Sequence, residues 1–266
     1  MIFGLHMFNE NHRLSMPARG GSAFGGKAVI LAGGKGTRLG SLTADIPKPL
    51  IAIGEKPVLE HQILLLQKYG ITDITLLVGY LAHDIEEYCG DGSRWGVSIS
   101  YEREQEPLGT AGALRVLERK IKEDFLLLSG DVMTNINVAR FADFHSSKKE
   151  SVATTAIRDT VTPLHADLIQ VDEQSRITRI HLRPHSEGDI PGKVGIASLY
   201  VLSPRFFNFI PAVGKCDIEK EVFPQILRNG GALYGYYTQE YIRDMGTPDR
   251  LMCVRADYEN GVIYHI

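Results

Sequence analysis

The sequence predicts an α/β fold, a mostly parallel sheet flanked by helices and followed by a strand-rich second half. Three observations carry that expectation. Short apolar runs at residues 28–32, 71–79, 97–101 and 125–128 alternate with helical patterns, and this alternation implies parallel strands joined by crossovers. The first run empties into Gly33, Gly34 and Gly36 and the fourth into Ser129, Gly130 and Asp131, so ligand-handling residues fall at the C-terminal ends of strands. From residue 152 onward the pattern changes to strand-like runs at 152–157, 168–171, 177–181 and 196–202, with only short helices later.

Residues 1–26 mix His6, Asn9, Glu10, Asn11, His12 and Arg13 with a glycine-rich tail and show no hydrophobic period. They read as a flexible leader, or as sequence upstream of a start at Met16, ahead of a single domain over 27–266. Pro57 opens a helix with Leu59, Ile63, Leu64 and Leu66 on its apolar face, ending near Gly70. Residues 81–88, 111–120 and 138–147 read as further helices. Ser203 is expected to cap a short helix through Phe207, with a helix at 218–228 and a strand at 233–237. Thr247 as N-cap and Pro248 at the first position announce a final helix through Ala256.

Leu31-Ala32-Gly33-Gly34-Lys35-Gly36-Thr37-Arg38-Leu39, answered by Pro47-Lys48-Pro49-Leu50, is the stretch richest in chemistry. Glycines after a buried strand let backbone N–H groups approach a phosphate where side chains would obstruct it. Arg38 offers a planar fork for phosphate oxygens and Lys48 a point charge on a flexible stem. The loop is not a P-loop, because Gly36 follows Lys35, and a dinucleotide fingerprint starting at Gly34 would need glycine where Leu39 stands. A turn serving only chain reversal does not account for the Arg38 and Lys48 pair.

Residues 31–39 with 47–50 resemble the signature of the sugar-1-phosphate nucleotidyltransferases, which join a nucleoside triphosphate to a sugar 1-phosphate and release pyrophosphate. The resemblance runs from about Lys27 to about Tyr258 and implies a Rossmann-like, GT-A-like nucleotidyltransferase fold whose strand-rich half forms the sugar side of the cleft. It implies that Leu31, Ala32, Gly33, Gly34, Gly36 and Thr37 bind the nucleotide, that Arg38 holds the departing pyrophosphate, and that Lys48 contacts the α-phosphate region. The loop from Glu106 to Gly112 resembles the base and sugar loop of the family; Glu106 is the expected guanine acceptor, or else a surface turn acid, and Gly109 allows close approach. Asp131 and Asp244 match the two positions that hold Mg²⁺, and removing either is expected to leave folding little affected. Arg183 stands where many members carry lysine against the sugar phosphate, with Thr110 beside it, whereas Ile196 replaces an asparagine that relatives commonly use. Residues in the 150s to 240s resemble the manno-heptose 1-phosphate guanylyltransferase group. The hexapeptide-repeat acyltransferase domain of some members is not expected in 266 residues.

Composition narrows the partners. The chain is 44% hydrophobic and 23% charged, with a net charge of −3 and a pI near 6.3, which gives no basic footprint for nucleic acid. No apolar run approaches the ~20 residues of a membrane helix. Cys89, Cys216 and Cys253 show no C-x-x-C pattern, as expected for reduced thiols in the cytoplasm. The expected partners are a nucleoside triphosphate and a sugar 1-phosphate, with no nucleic acid and no membrane; a homo-oligomer is left open.

Overall fold

The computed structural model describes residues 24–186 and 192–263. In chain order the strands are β1 (Phe24–Leu31), β2 (Ala52–Ile53), β3 (Lys56–Pro57), β4 (Asp73–Val78), β5 (Ser98–Arg103), β6 (Asp124–Ser129), β7 (Val132–Thr134), β8 (Ser151–Asp159), β9 (Leu168–Val171), β10 (Ile177–His181), β11 (Val194–Leu202), β12 (Ala232–Tyr237) and β13 (Ile242–Asp244). The helices are α1 (Val58–Lys68), α2 (Ala82–Cys89), α3 (Gly109–Gly112), α4 (Val138–Ser147), α5 (Phe223–Arg228) and α6 (Pro248–Glu259).

The main sheet runs β12-β8-β11-β6-β1-β4-β5, and of these seven strands only β11 runs against the rest. The β9–β10 hairpin joins it at the start of β11, through Gly195 and Leu168. Both faces of the sheet are covered. Ala28 and Ile30 of β1 pack into one hydrophobic cluster with α1 and α2, while Val29 packs into the other with α5. Burial on both faces explains why these strands read as unbroken apolar runs. The chain lays β4 and β5 to one side of β1 and then returns to place β6 on the other, so the strand order reverses between β1 and β6. A crevice opens outside the C-terminal ends of strands at such a point.

Several expectations need correction. The leader expected over 1–26 lies outside the described residues except for 24–26, which already belong to β1, with a register shift between Phe24 and Lys27. Backbone pairing needs no side-chain period, so Gly25 and Gly26 carried no signal of it. On α1, Leu65 is buried and Leu64 only partly so. The helix expected at 111–120 is α3 followed by a 3₁₀ segment, Ala113–Leu117. Ser203 does precede a short 3₁₀ segment, Pro204–Phe209, but its side chain makes no cap bond: its N–H donates to Val152 O at 3.0 Å, which holds it to β8, and its buried hydroxyl has no partner among the described residues. Thr247 does cap α6, its Oγ1 accepting from Arg250 N, but the helix continues to Glu259. The ribbon of β7 and β13 carried no three-residue period strong enough to read, yet it positions the site.

Candidate active site

The glycine loop leaves the sheet pinned on both sides. Leu31 O accepts from Gly130 N at 2.9 Å, and Ala32 N donates to Leu77 O at 2.8 Å, tying the loop to the ends of β6 and β4. A Cβ on Gly33 would stand 2.5 Å from Glu104 Oε2 and 3.2 Å from Gly79 N, so a larger residue there would displace the Glu104 carboxylate. Gly36 has φ +63°, the left-handed region, and its carbonyl accepts from Thr43 Oγ1 at 3.0 Å. A 3₁₀ segment, Thr37–Thr43, follows; it buries Leu39 and leaves Arg38 exposed. Leu31, Ala32, Gly33, Gly34, Gly36, Thr37 and Arg38 line a cleft of about 320 Å³ together with Lys48, Gly109, Thr110 and Asp131. Arg38 has no ion-pair partner among the described residues, and its Nη2 lies 2.8 Å from where a Cβ on Gly246 would be.

Lys48 opens a short 3₁₀ turn between Pro47 and Pro49, is 9% exposed, and forms an ion pair with Asp131. Ser129 Oγ donates to the other Asp131 oxygen at 2.6 Å. Burial opposes ionisation of Asp131, but the Lys48 charge and the hydrogen bonds from Lys48 and Ser129 outweigh it and hold the carboxyl below its usual value. The turn that carries Asp131 is clamped by Gln62 of α1, whose Nε2 donates to Ser129 O at 2.8 Å and Val132 O at 2.7 Å. Asp131 is therefore tied into the fold, and this pairing argues against the expectation that its removal leaves folding little affected.

Asp244 lies across the β7–β13 ribbon from Val132, and Met245 N donates to Asp131 O at 2.9 Å, so the two acids are backbone neighbours. Asp244 borders the cleft through Gly246, whose N–H donates to its Oδ1 at 2.9 Å. Its carboxylate is held by Arg250 at 2.8 and 2.7 Å. Among the described residues no three His, Cys, Asp or Glu side chains form a metal-sized group, so a metal would rest on these two acids alone. Two hard oxygen donors, Asp131 in the turn before β7 and Asp244 at the end of β13, completed by phosphate oxygens and water, fit Mg²⁺.

Sequence reasoning missed Glu104. It follows β5, lines the cleft, and accepts from Leu108 N at 3.2 Å; burial pushes its carboxyl above the usual range. Its place at a strand's C-terminal end, like that of Gly33 and Asp131, was the available signal. Glu106 instead lines an adjoining cavity of about 450 Å³ with Arg115 and Val213. Gly109, at φ +77°, packs against the Cys216 backbone. Thr110 Oγ1 accepts from Ile218 N at 2.9 Å and donates to Asp217 at 3.2 Å, linking the cleft to the strand-rich half. There, Glu219 Oε1 accepts from Tyr200 OH at 2.5 Å and Ser198 Oγ at 3.2 Å, and loss of hydration pushes its carboxyl up to about 7. Arg183 does not line the cleft: its guanidinium binds buried Asp167 at 3.3 Å and His165 O at 2.9 Å. No helix among the described residues is long and apolar enough to cross a membrane.

A family model for nucleotidyl transferases matches residues 27–261. The mannose-1-phosphate guanylyltransferase of Mycobacterium tuberculosis is 33% identical over 237 residues, which cover 88% of this chain and 65% of that protein. The mannose-1-phosphate guanyltransferase of Debaryomyces hansenii is 35% identical over 249 residues, covering 90% and 64%. The chain thus spans slightly less than two thirds of the length of these relatives. Among solved structures, HddC from Yersinia pseudotuberculosis complexed with GMP-PN superposes with a TM-score of 0.72 at 25% identity, covering 87% of this chain and 99% of that one. A putative glucose-1-phosphate thymidylyltransferase from Bacillus anthracis shares the fold, with a TM-score of 0.77 at 23% identity and coverage of 86% and 94%.

Proposed function

This chain belongs to the nucleotidyl transferase family, and we propose that it transfers GMP from GTP to a sugar 1-phosphate, releasing pyrophosphate, with a manno-heptose 1-phosphate as the leading acceptor. One observation carries the reading: the glycine loop, Arg38, Lys48 and Asp131 line a single cleft where the strand order reverses. A non-catalytic nucleotide-sugar binder would not need every charge-handling residue gathered there. Guanine is supported by the names of the relatives and by Glu104, an acceptor suited to the N1–H and N2–H₂ donors of that base. The heptose rests on the sequence resemblance in the 150s to 240s. Mannose 1-phosphate is the second reading, favoured by relatives that carry that name.

The attacking sugar phosphate needs little proton removal, because a phosphate monoester has its second pKa near ~6 and is mostly dianionic at neutral pH. The chain's task is positioning and charge neutralisation. Backbone N–H groups at Gly33, Gly34 and Gly36 cradle the phosphates, Lys48 faces the α-phosphate, and Arg38 takes the charge that develops on pyrophosphate. Asp131 and Asp244 would hold a magnesium ion, whose charge offsets repulsion between the two anions that must meet. Arg183, expected at the sugar phosphate, instead commits its guanidinium to Asp167 and His165 O outside the cleft lining, so no part in the reaction is assigned to it.

The test is pyrophosphate release measured for four nucleoside triphosphates against a panel of sugar 1-phosphates. GTP with a manno-heptose 1-phosphate should give the highest kcat/KM. Preference for UTP or dTTP would remove the guanylyl part, and silence with every pair would replace catalysis by binding alone.

A further inference from the structure

Both candidate metal-binding acids are already held by cations of the chain. Asp131 pairs with Lys48, and both Asp244 oxygens accept from Arg250 Nη1. Arg250 stands in the first turn of α6, where its own N–H donates to the capping Thr247 Oγ1, so its backbone is fixed beside the pair it makes. Arg38 adds a third cation next to Gly246. Counting Glu104, which also lines the cleft, the acids Glu104, Asp131 and Asp244 and the cations Arg38, Lys48 and Arg250 balance to zero, and Asp131 and Asp244 each have their own paired cation. Acids already paired in this way leave no net negative charge to draw in a free divalent cation.

We propose that Arg250 is a positioning residue that keeps Asp244 paired in the nucleotide-free protein, so that a divalent cation enters only together with the triphosphate. The inference rests on the function proposed above. A dication approaching Asp244 alone meets a guanidinium bound to both oxygens, and at Asp131 it meets the Lys48 ammonium. A triphosphate changes both terms: its oxygens engage Lys48 and Arg38, and they supply most of the ligands that Mg²⁺ requires. The simpler role, a clip holding the start of α6 to β13, gains little, because a pair with both side chains 36% exposed adds little stability.

The experiment is a Mn²⁺ titration followed by electron paramagnetic resonance, with and without GTP, on the wild type, Arg250→Gln and Arg250→Lys. Without nucleotide, Arg250→Gln should bind Mn²⁺ at least about ten-fold more tightly than the wild type, the scale of removing one charge a few ångströms from a dication at an intermediate dielectric. Arg250→Lys should stay near the wild type, and the gain in Mn²⁺ affinity on adding GTP, measured against GTP and Mn²⁺ without protein, should be about ten-fold larger for the wild type and Arg250→Lys than for Arg250→Gln. A clip alone would lower the melting temperature of Arg250→Gln and leave its Mn²⁺ affinity unchanged, which overturns the proposal. So does a wild type that binds Mn²⁺ equally well with and without GTP. GTP binding is followed separately by equilibrium dialysis. Its absence in the wild type would sink the functional reading together with this inference, whereas intact GTP binding with equal Mn²⁺ affinities sinks only the role of Arg250.

Discussion

Asp131→Asn keeps the size of the side chain and removes the charge opposite Lys48. The Lys48 side chain is 11% exposed and that of Asp131 18%, so the remaining ammonium has little access to water. Removing one partner of a buried pair costs ~3–5 kcal/mol, and the residual exposure of this one places the expected loss near the bottom of that range, at about 3 kcal/mol. At ~2–4 °C per kcal/mol for a chain of this size, the melting temperature should fall by about 6–12 °C. The double variant Lys48→Met/Asp131→Asn should recover part of the loss, since neither charge is then left alone. The pH dependence has a defined sign. The folded Asp131 carboxyl lies below its unfolded value, so the stabilisation is fully present above an unfolded pKa of ~3.9 and is lost as pH falls through the lower folded value. Denaturation should show a constant gap between wild type and Asp131→Asn from neutral pH to about 5, closing at lower pH. A gap within about 0.5 kcal/mol at neutral pH would refute the buried-pair argument.

Arg38→Lys keeps the charge and loses the fork, so kcat should fall by about ten- to a hundred-fold with an unchanged melting temperature, as suits an exposed residue without an ion pair among those described. Unchanged turnover would place Arg38 outside the reaction. Glu104→Gln should weaken the preference for GTP over ITP, which lacks the exocyclic amine; because burial raises the Glu104 carboxyl, wild-type preference should increase as pH rises through that raised value and level off above it. A pH-independent preference would assign the base to another group. Gly246→Ala would press a methyl group against Asp244 Oδ1 and Arg38 Nη2, at 2.7 and 2.8 Å, and should lower kcat while circular dichroism shows α6 intact; normal kcat would separate Gly246 from the site.

The parallel strands, the glycine loop and the final helix were legible because each carries a local signal: an apolar run, a glycine cluster, a Thr-Pro cap. The features that failed to show depend on residues distant in sequence. Asp131 and Asp244 each stood in a recognisable context, but nothing local says that Met245 N reaches Asp131 O through a three-residue ribbon. Nothing near Lys48 in sequence announces its pairing, because its partner Asp131 stands 83 positions away. Glu104 and Glu106 differ by two places in one loop, and composition cannot say which of them turns inward. Strand position can, since Glu104 directly follows β5 and reaches the cleft as well as the neighbouring cavity, whereas Glu106 lines only the latter. Arg183 matched a family position, yet Asp167 had no visible role until the fold brought it beneath the guanidinium.

The glycines of the cleft divide by the reason each is needed, and the division decides where the charges stand. Gly36 and Gly109 have positive φ, so their requirement is conformational. Gly33, Gly130 and Gly246 have no such angle; a Cβ on each would collide with Glu104 Oε2, with Leu31 O at 2.7 Å, or with Asp244 and Arg38. At Gly130 the obstacle is backbone and the requirement is space; at Gly33 and Gly246 an added Cβ would displace the charged side-chain ends that it meets. Gly130 lets the turn bearing Asp131 close on the end of β1, which brings that carboxylate to Lys48. Gly246 lets the Arg38 guanidinium approach the segment bearing Asp244. The missing side chains thus set the spacing between cations and acids. Charge placement in this cleft is a packing property of the backbone, so it is already present before any ligand arrives, and preorganisation of that kind makes fixed charges effective on a transferring phosphoryl group.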